Sequence, residues 1–146
     1  MSLDPVFVDS WGWMALGHRR DPRHTVVKRF YQELRDQRVA IYTSDYVLDE
    51  VITLLFRREP FSEAVKFAEG LFAAATLGHL IVERITSDRF VAAWELRKRF
   101  QDKLDISFTD LTSMVIMQER GLSRVLAEDE HFFQVGMSFS KALAVS

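Results

Sequence analysis

The sequence predicts an α/β protein of three layers, with helices on both faces of a parallel sheet. Short apolar runs that suit buried strands alternate with longer segments whose apolar residues recur at helical spacing. The strand-like runs are residues 5–8, 39–42, 80–85, 124–127 and, more weakly, 137–140. The helical segments are residues 24–37, 45–58, 62–77, 87–101 and 109–120. Because ligands of such sheets bind beyond the carboxyl ends of the strands, residues at those ends are candidates for a functional site.

The composition suits one compact domain, and we expect residues 1–146 to form it. Hydrophobic residues make up 48% of the chain, which is enough to build a core. The absence of cysteine excludes disulfides, thiolate metal ligands and a cysteine nucleophile. No apolar run reaches the roughly 18 residues of a membrane span, and the N-terminus lacks the features of a signal peptide. We therefore expect a cytoplasmic protein with no membrane partner.

Two aspartates follow predicted strands. Asp9 comes after the first apolar run and Asp129 after the fourth. Taken singly, each is more simply explained as a turn residue or a helix cap. Because the carboxyl ends of parallel strands meet at one edge of a sheet, the pair suggests a shared acidic site.

Two further carboxylates lie on predicted helices. On a helical wheel of residues 45–58, Glu50 borders the apolar arc that faces the core. A carboxylate there needs a partner, either an arginine, which is the simpler interpretation, or a metal ion. Asp110 follows Ser107 at the spacing of a capping box, so it also has a purely structural explanation.

A group of carboxylates at one edge would need cations among them, because like charges repel. Donor sets made only of oxygen select hard ions such as Mg²⁺ or Mn²⁺. Such an ion can bind a phosphodiester and activate a water molecule. The chain has a formal net charge of −2 and so lacks the basic excess of many nucleic-acid-binding proteins. The charge of a bound metal ion would supply the positive charge that the chain lacks.

Other residues near the first strand suit contacts with a nucleic acid. Trp11 and Trp13 could stack on bases, although packing in the core or at a dimer interface is the simpler interpretation. Arginines of the following loop could hold phosphate groups, although each is more simply a solvated surface charge. The candidate substrate-binding arginines are Arg19, Arg20 and Arg23.

Four short blocks of the chain share a known pattern. They are residues 6–10, 43–50, 104–110 and 125–132. The first block is a strand that ends in Asp-Ser. In the second block, a Glu lies on a helix that follows a strand end containing Thr and Ser. The third begins a helix with S-F-T-D, and in the fourth an Asp precedes a Phe by three positions. In this order the blocks resemble the PIN domain, in particular the small single-domain nucleases typified by VapC toxins of toxin–antitoxin pairs.

The resemblance implies a five-stranded parallel sheet with strand order 3-2-1-4-5. It also implies an endoribonuclease that hydrolyses RNA phosphodiester bonds with Mg²⁺ or Mn²⁺ as cofactor. Family members of this kind are commonly homodimers, and the toxins among them are held inactive by a cognate antitoxin. RNA, a second copy of the chain and an antitoxin are therefore the expected partners.

The resemblance also assigns a catalytic and metal-binding site. Its carboxylates are Asp9, Glu50, Asp110 and Asp129. The first and third would be the principal ligands, and Glu50 would be a ligand or the group that orients the attacking water. Asp129 would bind the ion directly or through another group.

Residues around this set have supporting roles. Ser10 or Thr109 would hydrogen-bond the carboxylates. Asp105 would either supplement the site or only shape the turn before the helix. Ala127 stands where the family usually has Thr or Ser two residues before the last Asp, so one hydroxyl contact is lost.

Other classes of protein fit less well. A non-catalytic PIN-like module that binds RNA or a protein would be expected to have lost a carboxylate, yet the acidic set is intact. A phosphoacceptor receiver domain would need an acidic pair after the first strand and an Asp at the tip of the third. Here Ser10 and Trp11 follow Asp9, and residues 84–86 contain no Asp. Trp11 likewise excludes a D-x-D phosphatase.

Overall fold

The computed structural model describes residues 2–128 and 130–143. Within them, five strands form one parallel sheet, with helices on both sides. In chain order the strands are β1 (Val6–Val8), β2 (Ile41–Ser44), β3 (Ile81–Glu83), β4 (Arg124–Leu126) and β5 (Ser140–Lys141). Across the sheet the order is β3-β2-β1-β4-β5. The predicted fold class and strand order are both confirmed.

In the part of the chain that the structure describes, six α-helices and one 3₁₀ turn connect the strands. The helices are α1 (Ser10–Gly17), α2 (His24–Asp36), α3 (Asp45–Arg58), α4 (Phe61–Thr76), α5 (Ser87–Arg99) and α6 (Phe108–Arg120), and the 3₁₀ turn is Glu130–Phe133. The five helices predicted from apolar spacing, α2 to α6, begin and end within two residues of their predicted bounds. Among the described residues, no helix combines the length and the apolar character needed to cross a bilayer.

Helix α1 is the element that apolar spacing did not predict. It is short and buried on several sides, so it carries no single apolar stripe for a helical pattern to reveal. It packs directly against the ends of β1 and β4. A Cβ added at Gly12 would lie 2.8 Å from Val8 Cγ1 and 3.0 Å from Leu126 Cδ2, so glycine permits this close approach.

The central strands carry the core. Val6, Phe7 and Val8 of β1 are fully buried, which explains why this strand is apolar throughout rather than alternating. Strand β1 pairs with β4 in the register Val8 to Leu126 and with β2 in the register Phe7 to Tyr42. Residues that follow β1, β2 and β4 are therefore neighbours at one edge of the sheet.

Candidate functional site

Asp9 lies at the carboxyl end of β1 and is almost buried, at 6% exposure. Its N–H donates to the carbonyl of Leu126 on β4, and its own carbonyl accepts the first hydrogen bonds of α1 from the N–H groups of Gly12 and Trp13. The side chain makes no capping hydrogen bond within the described residues of α1. The interpretation of Asp9 as a helix cap therefore does not account for its carboxylate.

Glu50 reaches the same strand end from α3. Ser10 Oγ donates a hydrogen bond to Glu50 Oε2 over 3.0 Å. Helix α3 starts immediately after β2, where Ser44 Oγ caps it by accepting from the N–H of Val47. Glu50 is more exposed than the helical wheel suggests, and within the described residues it forms no ion pair with an arginine.

Asp110 lies in the first turn of α6, whose N-cap is Ser107. Ser107 Oγ accepts from the N–H of Asp110 over 3.0 Å, as the capping interpretation predicted. The side chain of Asp110 has a different neighbour: its Oδ2 lies 3.5 Å from Nδ1 of His131. The Asp110 and His131 side chains are only 13% and 23% exposed. His131 belongs to the 3₁₀ turn that follows β4, so the carboxyl end of β4 and the start of α6 meet here.

The structure thus places three of the four predicted carboxylates at the ends of two adjacent strands. The Ser10–Glu50 pair lies beside Asp9 at the end of β1, and the Asp110–His131 pair lies beyond the end of β4. Paired strands run roughly 4.8 Å apart, so the two ends are close neighbours. The fourth predicted carboxylate, Asp129, lies outside the described residues.

The chemistry of these groups fits a hard divalent cation. Asp9, Glu50 and Asp110 offer only carboxylate oxygens, the donors that Mg²⁺ and Mn²⁺ prefer. Among the residues that the structure describes, no three His, Asp or Glu side chains are grouped closely enough to hold an ion by themselves. Any complete site in this region must therefore draw on Asp129 or on groups outside the chain, such as water or phosphate.

The remaining predicted site residues occupy different positions. Ser10 does hydrogen-bond a predicted site carboxylate, that of Glu50. The backbone carbonyl oxygen of Thr109 accepts hydrogen bonds from Thr112 Oγ1 at 2.6 Å and from Ser113 Oγ at 3.2 Å. Asp105 is exposed in the turn before α6, and its role stays a prediction.

The predicted substrate-binding arginines lie beyond α1 rather than directly after β1. Eight helical residues span about 12 Å, so this loop is well separated from Asp9. The N–H of Arg19 donates to Glu59 Oε1, and its guanidinium lies 3.7 Å from Glu63. Arg20 is exposed, and the N–H of Arg23 donates to Asp21. Contact of these arginines with RNA stays a prediction.

Both tryptophans pack against the core, but they differ in exposure. Trp13 is fully buried and packs edge-on against Tyr31, with ring centroids 5.8 Å apart. Trp11 is half-buried against the core. A base cannot reach the buried ring of Trp13, so the core interpretation is the correct one for this residue.

A further acidic residue, Glu83, lies at the end of β3 and was not identified from the sequence. It accepts hydrogen bonds from Arg120 at 2.7 and 3.3 Å and from Arg89 at 3.1 Å. Burial acts to raise the pKa of Glu83, but the hydrogen bonds and charges of the two arginines outweigh it and lower the pKa from its ordinary value. Glu83 is therefore an ionised, internally neutralised group, and it joins β3 to α5 and α6.

A cavity of 930 Å³ lies away from the acidic edge. It opens between the helices, with Leu16, Tyr31 and Phe67 among its apolar lining and Lys28 and Lys66 among its charged lining. Of the predicted site carboxylates that the structure describes, Asp9, Glu50 and Asp110, none contributes to its wall. The cavity is thus separate from the candidate site.

Comparisons with known proteins agree with the fold and the order of the sequence blocks. The PIN domain family model matches residues 6–137. The chain is 36% identical over 132 residues to the 23S rRNA-specific endonuclease VapC20 of two Mycobacterium tuberculosis strains, CDC 1551/Oshkosh and H37Rv, covering 90% of this chain and 94% of each relative. It also matches the crystal structure of Mycobacterium tuberculosis VapC20, described as a sarcin–ricin loop cleaving toxin. That match has a TM-score of 0.75 and 34% identity, and it covers 90% of this chain and 95% of the other. The resemblance drawn from the four sequence blocks is confirmed.

Proposed function

Because the chain belongs to the PIN domain family, we propose that it is a metal-dependent endoribonuclease that hydrolyses RNA phosphodiester bonds. The observation that carries the proposal is that two side-chain pairs lie at the ends of neighbouring strands. Ser10 bonded to Glu50 lies at the end of β1, beside the nearly buried Asp9, and Asp110 beside His131 lies at the end of β4. These carboxylates lie at the edge of the sheet where such folds bind their ligands.

The roles of the residues follow from their positions. Asp9, Asp110 and Asp129 would hold Mg²⁺ or Mn²⁺, with Glu50 as a further ligand or the group that orients water. The bound ion supplies positive charge for the phosphodiester and makes a nearby water more acidic. Asp9 is suited to its role because its backbone N–H and C=O are both engaged, which fixes where its side chain begins.

The proposed hydrolysis places a water beside Glu50. Ser10 holds Glu50 Oε2, so Oε1 would accept a hydrogen bond from the water and direct its oxygen at phosphorus. The water gives up a proton as its oxygen bonds to phosphorus, one ester P–O bond breaks, and the departing oxygen takes up a proton, so the number of protons is unchanged. The low exposure of Asp9 and Asp110 keeps bulk water from competing for their oxygens.

For the substrate we propose 23S rRNA, cut at the sarcin–ricin loop. The support is the similarity to VapC20, which extends over 90% of this chain and nearly the whole relative. The same similarity supports the role of a toxin neutralised by a cognate antitoxin. We propose a homodimer in the cytoplasm as its working form.

The test is cleavage of ribosomes and of an isolated sarcin–ricin loop RNA by purified protein with Mg²⁺ or Mn²⁺. We expect a single cut in wild type, none with EDTA, and a rate about 100-fold lower in Asp9→Asn, Asp110→Asn and Asp129→Asn. Asp49→Asn is the matched control, because Asp49 is an exposed carboxylate beside Glu50 on α3. RNA that is bound but never cut with either metal would favour a non-catalytic binding module.

A further inference from the structure

The peptide unit that joins Val8 to Asp9 is held from both neighbouring strands. Its carbonyl, on Val8, accepts a hydrogen bond from Thr43 Oγ1 of β2 over 3.0 Å. Its N–H, on Asp9, donates to the carbonyl of Leu126 on β4 over 3.2 Å. The paired register of β1 and β2 ends at Phe7 and Tyr42, so the Thr43 side chain extends that pairing by one residue.

A third group fixes the direction of the Thr43 hydroxyl. Trp13 Nε1 donates to Thr43 Oγ1 over 3.0 Å. An indole N–H is only a donor, and a hydroxyl has one proton. Since the Thr43 oxygen accepts from Trp13, its single proton is directed to the carbonyl of Val8. Trp13, Thr43 and Val8 are each fully buried, so no water replaces a missing partner without disturbing the core.

Trp13 also contacts Asp9 directly through the backbone. Its N–H donates to the Asp9 carbonyl over 3.3 Å, beside the bond from the N–H of Gly12 at 3.0 Å. The chain of hydrogen bonds from Trp13 through Thr43 to Val8 therefore closes a ring around the backbone of Asp9. We call these two side chains, Trp13 and Thr43, the Asp9 clamp.

We propose that Thr43 and Trp13 are positioning residues for Asp9 in the nuclease reaction. The proposal rests on the function proposed above, in which the Asp9 carboxylate is a metal ligand. A shift of about 1 Å in a catalytic group can cost about 100-fold in rate, so a buried device that fixes the backbone at Asp9 has a direct chemical consequence. Neither clamp residue touches the substrate.

The first test removes the hydroxyl while keeping the shape of the side chain. We expect Thr43→Val to lower kcat for loop RNA about 10- to 100-fold with KM little changed, and Thr43→Ser to restore most of the rate. Ile41→Val is the control, because it trims the buried far end of the same strand without touching the clamp. It should keep wild-type kcat at a temperature where all variants are folded.

The second test does not depend on cleavage. Hydrogen exchange at the Asp9 amide should be faster in Thr43→Val than in Ile41→Val, and Mn²⁺ titrated into the RNA-free protein should bind about tenfold more weakly. The double variant Trp13→Phe/Thr43→Val should react no more slowly than the slower of the two single variants. Both substitutions interrupt the same chain of hydrogen bonds, so their effects should not add.

The outcomes separate the two proposals. Wild-type kcat and Mn²⁺ affinity in Thr43→Val would overturn the clamp and leave the nuclease function standing. A wild-type protein that cuts no RNA with either metal would overturn the nuclease function, and unchanged Mn²⁺ binding in Thr43→Val would then overturn the clamp as well. If Thr43→Val does not fold, Trp13→Phe takes its place, because it keeps a ring in the core but lacks the donor.

Discussion

Ser10 donates a hydrogen bond of 3.0 Å from its hydroxyl to Oε2 of Glu50, across 40 positions of the chain. The bond joins the first residue of α1 to the second turn of α3. It turns an exposed glutamate toward the edge of the sheet where Asp9 lies. Without it, the long Glu50 side chain would have several rotamers open to solvent, so the bond decides where this carboxylate points.

Replacing Ser10 by alanine tests this link. We expect Ser10→Ala to lower the cleavage rate about tenfold, which corresponds to the roughly 1.4 kcal/mol of one hydrogen bond made to a charged group. The melting temperature should change little, because the bond is only partly buried. Thr53→Val is the control, since it removes another hydroxyl from α3, one that bonds the carbonyl of Asp49. Equal rates in Ser10→Ala and wild type would show that the bond from Ser10 is not needed to orient Glu50.

The carboxylates should destabilise the protein when no metal is bound. Asp9→Asn and Asp110→Asn should each raise the melting temperature of the metal-free protein by a few degrees, because like charges at one strand edge repel. Added Mn²⁺ should raise the melting temperature of wild type more than that of either variant, because only a folded state that binds the ion gains stability from it. Calorimetry with and without EDTA measures both effects. A clear loss of metal-free stability in both variants would favour structural roles for these residues.

The pH dependence of stability should report the lowered pKa of Glu83. A carboxylate whose folded pKa lies below its ordinary value of 4.5 contributes stability that is fully present above that pH. The contribution is lost as the pH falls through the folded pKa. Thermal melts from pH 7 to pH 3 should therefore show Glu83→Gln less stable than wild type at pH 7, by roughly 1–3 kcal/mol. That difference should shrink below pH 4.5. A constant difference across this range would show that the ionisation of Glu83 does not contribute to stability.

Arg97 should hold the loop that precedes α6. Its guanidinium donates to three backbone carbonyls, those of Phe100 and Lys103 at 2.7 Å and of Ile106 at 2.9 Å. Arg97→Gln cannot satisfy all three, and we expect a loss of about 2–3 kcal/mol in the free energy of unfolding. Amide hydrogen exchange should accelerate in residues 100–107, the loop that carries Asp105. Arg99→Gln, an exposed neighbour, is the control, and equal losses in both variants would contradict the assignment.

Much of the fold could be read from local pattern. Helix α3 has its predicted bounds because Ser44 caps its start and its apolar residues recur at helical spacing. The wholly apolar sequence of β1 predicted a buried parallel strand, and the position of the aspartate after it indicated the edge of the sheet where a site was expected. The strand order came from the resemblance of the four blocks, since apolar spacing does not say which strands are neighbours. Helix α1 was missed because a helix buried on several sides has no stripe to detect.

The sequence by itself therefore determined the class of fold, the family and which carboxylates are candidates for the site. Only the tertiary structure decided their partners: Ser10 for Glu50, His131 for Asp110, and Trp13 with Thr43 for the backbone at Asp9. The structure also shows that the candidate arginines lie beyond the far end of α1 and that Trp13 is buried where no base can reach it. The physical reason is that periodicity specifies which face of an element is buried, whereas a hydrogen bond between residues 30 or 40 positions apart exists only once the elements have packed.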